Sequence, residues 1–205
     1  MTEMEREEFW ERRFASTDDY VFGVEPNTFL AKELHRIPAG SSVLSVADGE
    51  GRNGVFLAEN GLNVHSVEAS AAAITKARRL ASQRGTSLLF EQADLMRWSW
   101  PKSAYDAVAA IFIQFTTPEE RPVLFERIKS ALKPGGLLLL QGYRVEQVNY
   151  RTGGPSDPEH LYTEEMLRTA FADMEIIQLR CYDDVISEGV GHCGISALIC
   201  MVARK

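Results

Sequence analysis

The spacing of hydrophobic and polar positions changes after residue 40 of the chain. Before that point, apolar residues recur every three to four positions, a spacing typical of helices that bury one face. Phe9, Trp10 and Phe14 form one such stripe, and a second stripe begins after Pro26 and ends at Pro38. Because proline cannot continue a helix, it sets these limits. We therefore predict a helical cap over residues 1–40, followed by a core of different architecture.

From residue 41 onward, short apolar runs alternate with stretches of helical spacing. The predicted strands are Ser42–Ala47, Asn63–Glu68, Ser87–Gln92, Ala104–Ile113 and Leu137–Gln141, with helices Arg52–Asn60, Ser70–Gln83 and Thr117–Lys133 between them. Strands that alternate with helices form parallel sheets through right-handed crossovers.

The last part of the chain follows another pattern. A helix is predicted over Thr163–Ala172, and two strands, Glu175–Tyr182 and Ile195–Val202, follow with no helix between them. Parallel neighbours need a crossover connection, so these two strands should pair antiparallel at an edge of the sheet. We predict one α/β domain over residues 1–205, with residues 41–205 as its core.

Composition and charge limit the classes of function that the chain can have. The chain has 205 residues, 45% of them hydrophobic, which suits one domain with a sizeable core. Its net charge of −7 argues against nucleic acid as a partner, and the densest basic run, Lys76–Arg79, is expected to be a solvated helix face. The acidic N-terminus and short apolar runs predict a cytoplasmic protein without membrane contact. No metal-ligand spacing is present, so we expect no metal, and the oligomeric state stays open.

A glycine-rich loop supplies the first chemical signal. Residues Gly49–Gly54 read G-x-G-x-x-G between a predicted strand and a predicted helix. Glycines let a ligand approach the backbone, and the helix start offers free N–H groups. Glu68 ends the next strand, where a carboxylate can bind both hydroxyls of a ribose. The loop and Glu68 should therefore meet in one crevice that holds a nucleotide-bearing cofactor.

Two cofactor classes fit this crevice, a nicotinamide dinucleotide and S-adenosylmethionine (SAM). A nicotinamide-dependent oxidoreductase normally needs a second dinucleotide-binding half, for which 205 residues leave little room. Asp94 and Leu95 come just after the third strand, where the carboxylate can accept from an adenine amino group and the Leu95 N–H can donate to a ring nitrogen. These features favour SAM, with the oxidoreductase as the alternative.

Several motifs then carry a resemblance to a known family. Val43–Asn53 resembles the first motif of class I SAM-dependent methyltransferases, and Glu68, Asp94-Leu95, Tyr105-Asp106 and Lys133–Gly136 resemble its later motifs in order. Trp10–Phe14, Tyr20–Asn27 and Glu188–His192 are similar to the small tellurite-resistance and thiopurine-methyltransferase-like branch. The resemblance implies a Rossmann-like three-layer sandwich, with a seven-stranded, mostly parallel sheet and an antiparallel last strand. It also implies methyl transfer from SAM to a small-molecule acceptor, such as a thiol or a chalcogen oxyanion, with S-adenosylhomocysteine as product.

The residues and the resemblance together give candidate site residues. The expected cofactor contacts are Arg13, Ser45, Ala47, Gly49, Gly51, Glu68, Ala69, Asp94, Leu95 and Ile111, and the catalytic candidates are His192 and Gln114. Arg13 is expected to pair with the methionine carboxylate, since a guanidinium binds carboxylates in a bidentate manner. The family usually has an acid in place of Ser45 and a glycine in place of Ala47. These two departures motivate a third hypothesis, a non-catalytic ligand-binding module of the same fold.

Overall fold

The computed structural model describes residues 3–205, and a seven-stranded sheet runs through their centre. Its strands are β1 Ser42–Val46, β2 Asn63–Glu68, β3 Leu89–Gln92, β4 Tyr105–Ile111, β5 Leu132–Tyr143, β6 Glu175–Glu188 and β7 His192–Arg204. Their spatial order is β3-β2-β1-β4-β5-β7-β6. β1 to β5 pair in parallel, whereas β7 pairs antiparallel with β5 and β6. The predicted mostly parallel sheet with an antiparallel last strand is confirmed.

Helices cover both faces of the sheet. They are α1 Glu3–Ala15, α2 Thr28–Glu33, α3 Arg52–Glu59, α4 Ala71–Gln83, α5 Arg121–Ala131, α6 Gln147–Tyr150 and α7 Glu164–Ala170, with 3-10 turns at Leu34–Arg36 and Pro158–His160. Leu30 of α2 and Leu57 of α3 are buried on one face, and Phe125 of α5 and the nearby Phe171 on the other. None of the helices in this described part of the chain is long and apolar enough to cross a bilayer.

Several predicted boundaries are wrong. α5 begins at Arg121, because residues 117–120 form a capped turn ahead of the helix, in which the Glu120 N–H donates to Thr117 Oγ at 3.3 Å. β5 already begins at Leu132. β6 and β7 extend to Glu188 and His192, because each strand supplies the other's backbone hydrogen bonds whatever the side chains are. The two strands are therefore joined by a short turn.

The basic run on α4 was predicted from its charge to be a solvated helix face. In the structure this face is not fully solvated. Lys76 is 8% exposed, and its Nζ donates to Glu50 Oε1 at 2.8 Å and to the Asp19 carbonyl at 2.7 Å. Gly51 makes this approach possible, because a Cβ on it would lie 2.6 Å from the Ala77 Cβ. α4 therefore packs directly against the glycine loop and holds it in place.

Candidate active site at the carboxyl ends of the strands

A cavity of about 680 Å³ lies at the carboxyl ends of β1, β2 and β4, a volume typical of small-molecule sites. Its walls include ten of the predicted site residues, namely Arg13, Ala47, Gly49, Glu68, Ala69, Asp94, Leu95, Ile111, Gln114 and His192. Ser45 and Gly51 do not line it, although both were expected to contact the cofactor. Gly51 instead packs against α4, and Ser45 bonds to a neighbouring residue in the loop.

That neighbour, Asp48, is a site residue that the sequence analysis missed. Its buried carboxylate accepts from Ser45 Oγ at 2.7 Å, from Ser66 Oγ at 2.8 Å and from the Gly54 N–H at 3.1 Å. A carboxylate thus lies beside Ser45, three residues after the position where the family usually has an acid. Burial raises the pKa of Asp48 to about 6, against the lowering effect of its donors. The sequence signal that could have identified Asp48 is an acidic residue between the end of the first strand and Gly49.

Ala47 is strained in the conformation that the loop requires. Its φ is +48°, in the left-handed region where a Cβ costs about 1 kcal/mol. This explains in physical terms why glycine is the usual residue at this point of the motif. The methyl group packs against the core below β1 and β4, and the loop keeps its shape.

Glu68 lies in the cavity wall, where it was predicted to bind the ribose. Its carboxylate accepts from the Gly49 N–H and from the Ser70 N–H, both at 2.9 Å, which ties it to the glycine loop. Burial raises the pKa of this carboxyl group. A carboxylate oxygen has more than one acceptor site, so both oxygens can still accept from ligand hydroxyls.

Asp94 has an unsatisfied oxygen in the cavity wall. Its Oδ1 accepts from the Met96 N–H at 2.8 Å, whereas the buried Oδ2 has no hydrogen-bond partner among residues 3–205. Arg97 Nε, the cation of its ion pair, is 3.9 Å away. A buried acceptor without a donor is costly, and a ligand amino group would remove that cost. The residues present therefore fit an adenosine cofactor at this end of the cavity.

Another part of the cavity wall is aromatic and basic. The His192 ring lies 4.5 Å from the Phe22 ring and 4.5 Å from the Phe112 ring, measured between centroids. The Arg13 guanidinium stacks over Trp10 and Phe22, and its buried Nε has no hydrogen-bond partner in the described structure. Burial lowers the pKa of His192, which favours a neutral imidazole at neutral pH.

Gln114 is held by backbone groups. Its Nε2 donates to the carbonyls of Tyr143 at 2.9 Å and His160 at 3.2 Å, and its Oε1 accepts from the Tyr143 N–H at 2.6 Å. This arrangement uses three of the four hydrogen bonds available to an amide. It favours a role in joining β5 to the 3-10 turn at His160, and a catalytic role for Gln114 stays a prediction.

Helix α1 covers the cavity, and two contacts hold it there. Glu11 accepts from Ser70 Oγ at 2.5 Å and from the Ala72 N–H at 3.2 Å, at the start of α4. Arg6 forms a 2.8 Å ion pair with Glu120, just before α5. Neither contact was predicted, because each joins residues more than 50 positions apart in the sequence.

The family comparison assigns this architecture. Residues 43–136 match the family model described as a methyltransferase domain. Over this segment the chain is therefore similar to methyltransferase domains. The segment runs from β1 to the first residues of β5, and thus contains the glycine loop, Glu68 and Asp94. The cofactor expected for the domain, SAM, with S-adenosylhomocysteine as its product, is thereby confirmed.

Two curated relatives are similar to the methyltransferase domain and its surroundings. Phosphoethanolamine N-methyltransferase 3 of Arabidopsis thaliana is 31% identical over 139 residues, which cover 65% of this chain and 27% of the relative. The glycine/sarcosine N-methyltransferase of Halorhodospira halochloris is 30% identical over 148 residues, covering 69% and 48% of the two chains. The chain thus spans about a quarter and about half the length of these relatives.

Solved structures share the fold of the methyltransferase domain. N-methyltransferase NodS from Bradyrhizobium japonicum WM9, in complex with S-adenosylhomocysteine, aligns with a TM-score of 0.71 at 15% identity over 98% of both chains. TehB from Haemophilus influenzae aligns with a TM-score of 0.71 at 17% identity over 96% of this chain and 67% of that one. At these identities the likeness is one of fold.

Proposed function

We propose that the chain transfers a methyl group from SAM to a small-molecule acceptor, and that it does so in the cytoplasm. The observation that carries the proposal is one cavity whose wall contains the glycine loop, Glu68 and Asp94 together with a buried histidine. Helix α1 lies over this cavity and leaves a space of the size that small molecules occupy.

The chain's own residues would hold the cofactor along the cavity. Asp94 and the Leu95 N–H would bind the adenine, Glu68 would bind the ribose hydroxyls, and the loop from Ala47 to Gly51 would pass beneath the methionine part. Arg13 would pair with the methionine carboxylate, since no carboxylate in the described structure forms an ion pair with it. When bound, SAM supplies a methyl group on a positively charged sulfur, which an acceptor's nucleophilic atom can displace.

His192 would take up the proton that the acceptor loses. It is 8% exposed, lines the cavity and is neutral at neutral pH by reason of its burial. A neutral imidazole is a suitable general base, and the surrounding rings exclude water from it.

The comparisons and the sequence motifs support particular classes of acceptor. The names of the two curated relatives give small amines as their acceptors. The tellurite-resistance branch is proposed from the sequence motifs, and the fold is shared with TehB. We propose a small acceptor with one nucleophilic atom. A panel of amines, thiols and tellurite, assayed for S-adenosylhomocysteine formation, would separate these classes.

Calorimetric titration tests the proposal. SAM and S-adenosylhomocysteine should bind, and Asp94→Ala should weaken both by about one to two decades, because a hydrogen bond to a charged group contributes about 1.5–3 kcal/mol. Asp184→Ala is the matched control, since the exposed Asp184 lies on β6 and its carboxylate accepts from the Val185 N–H.

Two results would contradict the proposal. A folded sample that binds neither compound at millimolar concentration would exclude the cofactor, and tight binding of NADH alone would favour the oxidoreductase. SAM binding without transfer to any acceptor in the panel would instead favour the non-catalytic ligand-binding module.

A further inference from the structure

The short turn between β6 and β7 fixes two side chains next to each other. Glu188 ends β6, His192 begins β7, and the two residues face each other across the strand pair. The turn is attached to the segment after α1, because the Gly191 N–H donates to the Val21 carbonyl at 3.0 Å. A Cβ on Gly191 would overlap the Phe22 ring, so the turn and this segment are in direct contact. The backbone therefore determines where the His192 ring lies.

The Glu188 carboxylate is buried and held by two donors. Its Oε2 accepts from Arg52 Nη2 at 2.6 Å, and its Oε1 accepts from Asn27 Nδ2 at 3.0 Å. Burial by itself raises the pKa of Glu188, but the nearby His192 and the Arg52 guanidinium together outweigh it and hold the pKa at about 2. Glu188 is therefore negatively charged throughout the physiological range of pH.

One of the two ring nitrogens of His192 lies near this carboxylate. Its buried Nδ1 is 3.6 Å from Glu188 Oε2, and it has no hydrogen-bond partner at a shorter distance in the described structure. The charged groups around the ring are Glu188 from β6, Arg52 from α3 and Arg13 from α1, and Tyr143 of β5 is the titratable neighbour from the sheet. The two arginines disfavour a charged imidazole, and Glu188 opposes them.

Resting on the proposed function, we propose that Glu188 is a positioning residue that holds the proton of neutral His192 on Nδ1, leaving Nε2 free as the base in the cavity. A proton on Nδ1 points at the carboxylate, whereas a lone pair on Nδ1 would face its negative charge. When the acceptor's N–H, S–H or O–H bond breaks, the proton forms an N–H bond at Nε2. The resulting imidazolium is then stabilised by the Glu188 carboxylate.

A purely structural role would have different consequences. If Glu188 served only as the ion-pair partner of Arg52, neither the protonation state nor the tautomer of His192 would depend on it. If it is a positioning residue, both must change when its charge is removed, whether or not the cofactor is bound.

NMR of the ¹⁵N-histidine-labelled protein separates these cases without a cofactor or an acceptor. The signals of His192, identified by their loss in His192→Asn, should report a proton on Nδ1 and a bare Nε2 in the wild type. In Glu188→Gln the preference for Nδ1–H should be lost, and the pKa of His192 should fall by about one unit or more, as expected when an opposite charge is removed. Glu175→Gln is the matched control, because Glu175 makes an exposed ion pair with Arg204 on the same two strands.

A second variant covers the case in which Glu188→Gln fails to fold, since it leaves Arg52 buried without its partner. Arg52→Gln/Glu188→Gln removes both charges together, and it should also lose the Nδ1–H preference. A proton on Nε2 in the wild type, or a tautomer unchanged in both variants, would overturn the inference. Normal SAM binding in the same samples would show that the proposed function stands even then, and absent SAM binding with the expected tautomer would count against the proposed function alone.

Discussion

At the scale of single residues, the cavity wall holds groups whose polar atoms lack partners. Arg13 is the basic example, and Asp94 is the acidic one, each with a buried atom that has no hydrogen bond among residues 3–205. Buried polar atoms are satisfied in most proteins, so such atoms lining one cavity indicate where a ligand binds. The two residues line the same cavity, and their opposite charges suit a ligand that carries both an amino group and a carboxylate.

A change at Arg13 tests this interpretation. Arg13→Ala should weaken SAM binding about tenfold or more, because a charge-assisted pair with the methionine carboxylate is lost. The same change should leave binding of decarboxylated SAM nearly unaffected, since that compound has no carboxylate. Both affinities are measured by calorimetry, with the exposed neighbour Arg12→Ala as control. An equal loss for both compounds would assign Arg13 to another part of the site.

At the scale of elements, α1 is the part of the site that depends most on distant contacts. Ser70 is the N-cap residue of α4. Glu11 of α1 also binds at this helix start, where a negative charge is favourable. Helix α1, which covers the cavity, is therefore bound to α4. The same helix α4 supports the glycine loop through the ion pair of Lys76 with Glu50.

Removing the contact of Glu11 with α4 should destabilise the packing of α1 without affecting the sheet. In Glu11→Ala, hydrogen–deuterium exchange should become faster within residues 3–15 while β4 and β5 stay protected, because the sheet does not depend on α1. Glu8→Ala is the control, since Glu8 lies on the same helix and its carboxylate forms an exposed pair with Arg12. Equal exchange in the two variants would mean that Glu11 does not hold the helix.

At the scale of the whole molecule, two buried carboxyl groups give stability opposite dependences on pH. The folded state raises the pKa of Asp48 to about 6, so its contribution is present below about pH 4 and is lost as the pH rises through 6. The folded state lowers the pKa of Glu188 to about 2, so its contribution is present above about pH 4.5 and is lost as the pH falls toward 2. Asp48 therefore reduces stability at neutral pH, at the site where the cofactor loop needs its hydrogen bonds.

Asp48→Asn measures that cost. Between pH 4 and pH 7, the free energy of unfolding of the wild type should fall relative to the variant by up to about 3 kcal/mol, since one pKa unit corresponds to about 1.4 kcal/mol. Urea unfolding at a series of pH values gives the difference, with Asp184→Asn as control. Parallel curves for the wild type and Asp48→Asn would mean that Asp48 does not titrate in this range.

The sequence predicted the elements because their signals are local. The period of the apolar residues identified the alternating strands and helices, and Ser70 and Thr163 cap α4 and α7 as expected. The ends of β6 and β7 were wrong because polar residues there stay in strands only through their pairing with each other. The hydrogen bond from the Ser45 hydroxyl to Asp48 is also absent from the sequence-based prediction, because it forms only in the folded loop.

By itself, the sequence determined the fold class, the cofactor class and ten residues of the cavity wall, because the motif residues follow strand ends that a parallel sheet must bring together. Only the tertiary structure decided the rest of the site. The contacts of Glu11 with α4, of Arg6 with Glu120 and of Glu188 with Arg52 join residues far apart in the chain, and no local spacing encodes them. Their physical basis is burial, because charges that leave water must find partners wherever the fold provides them.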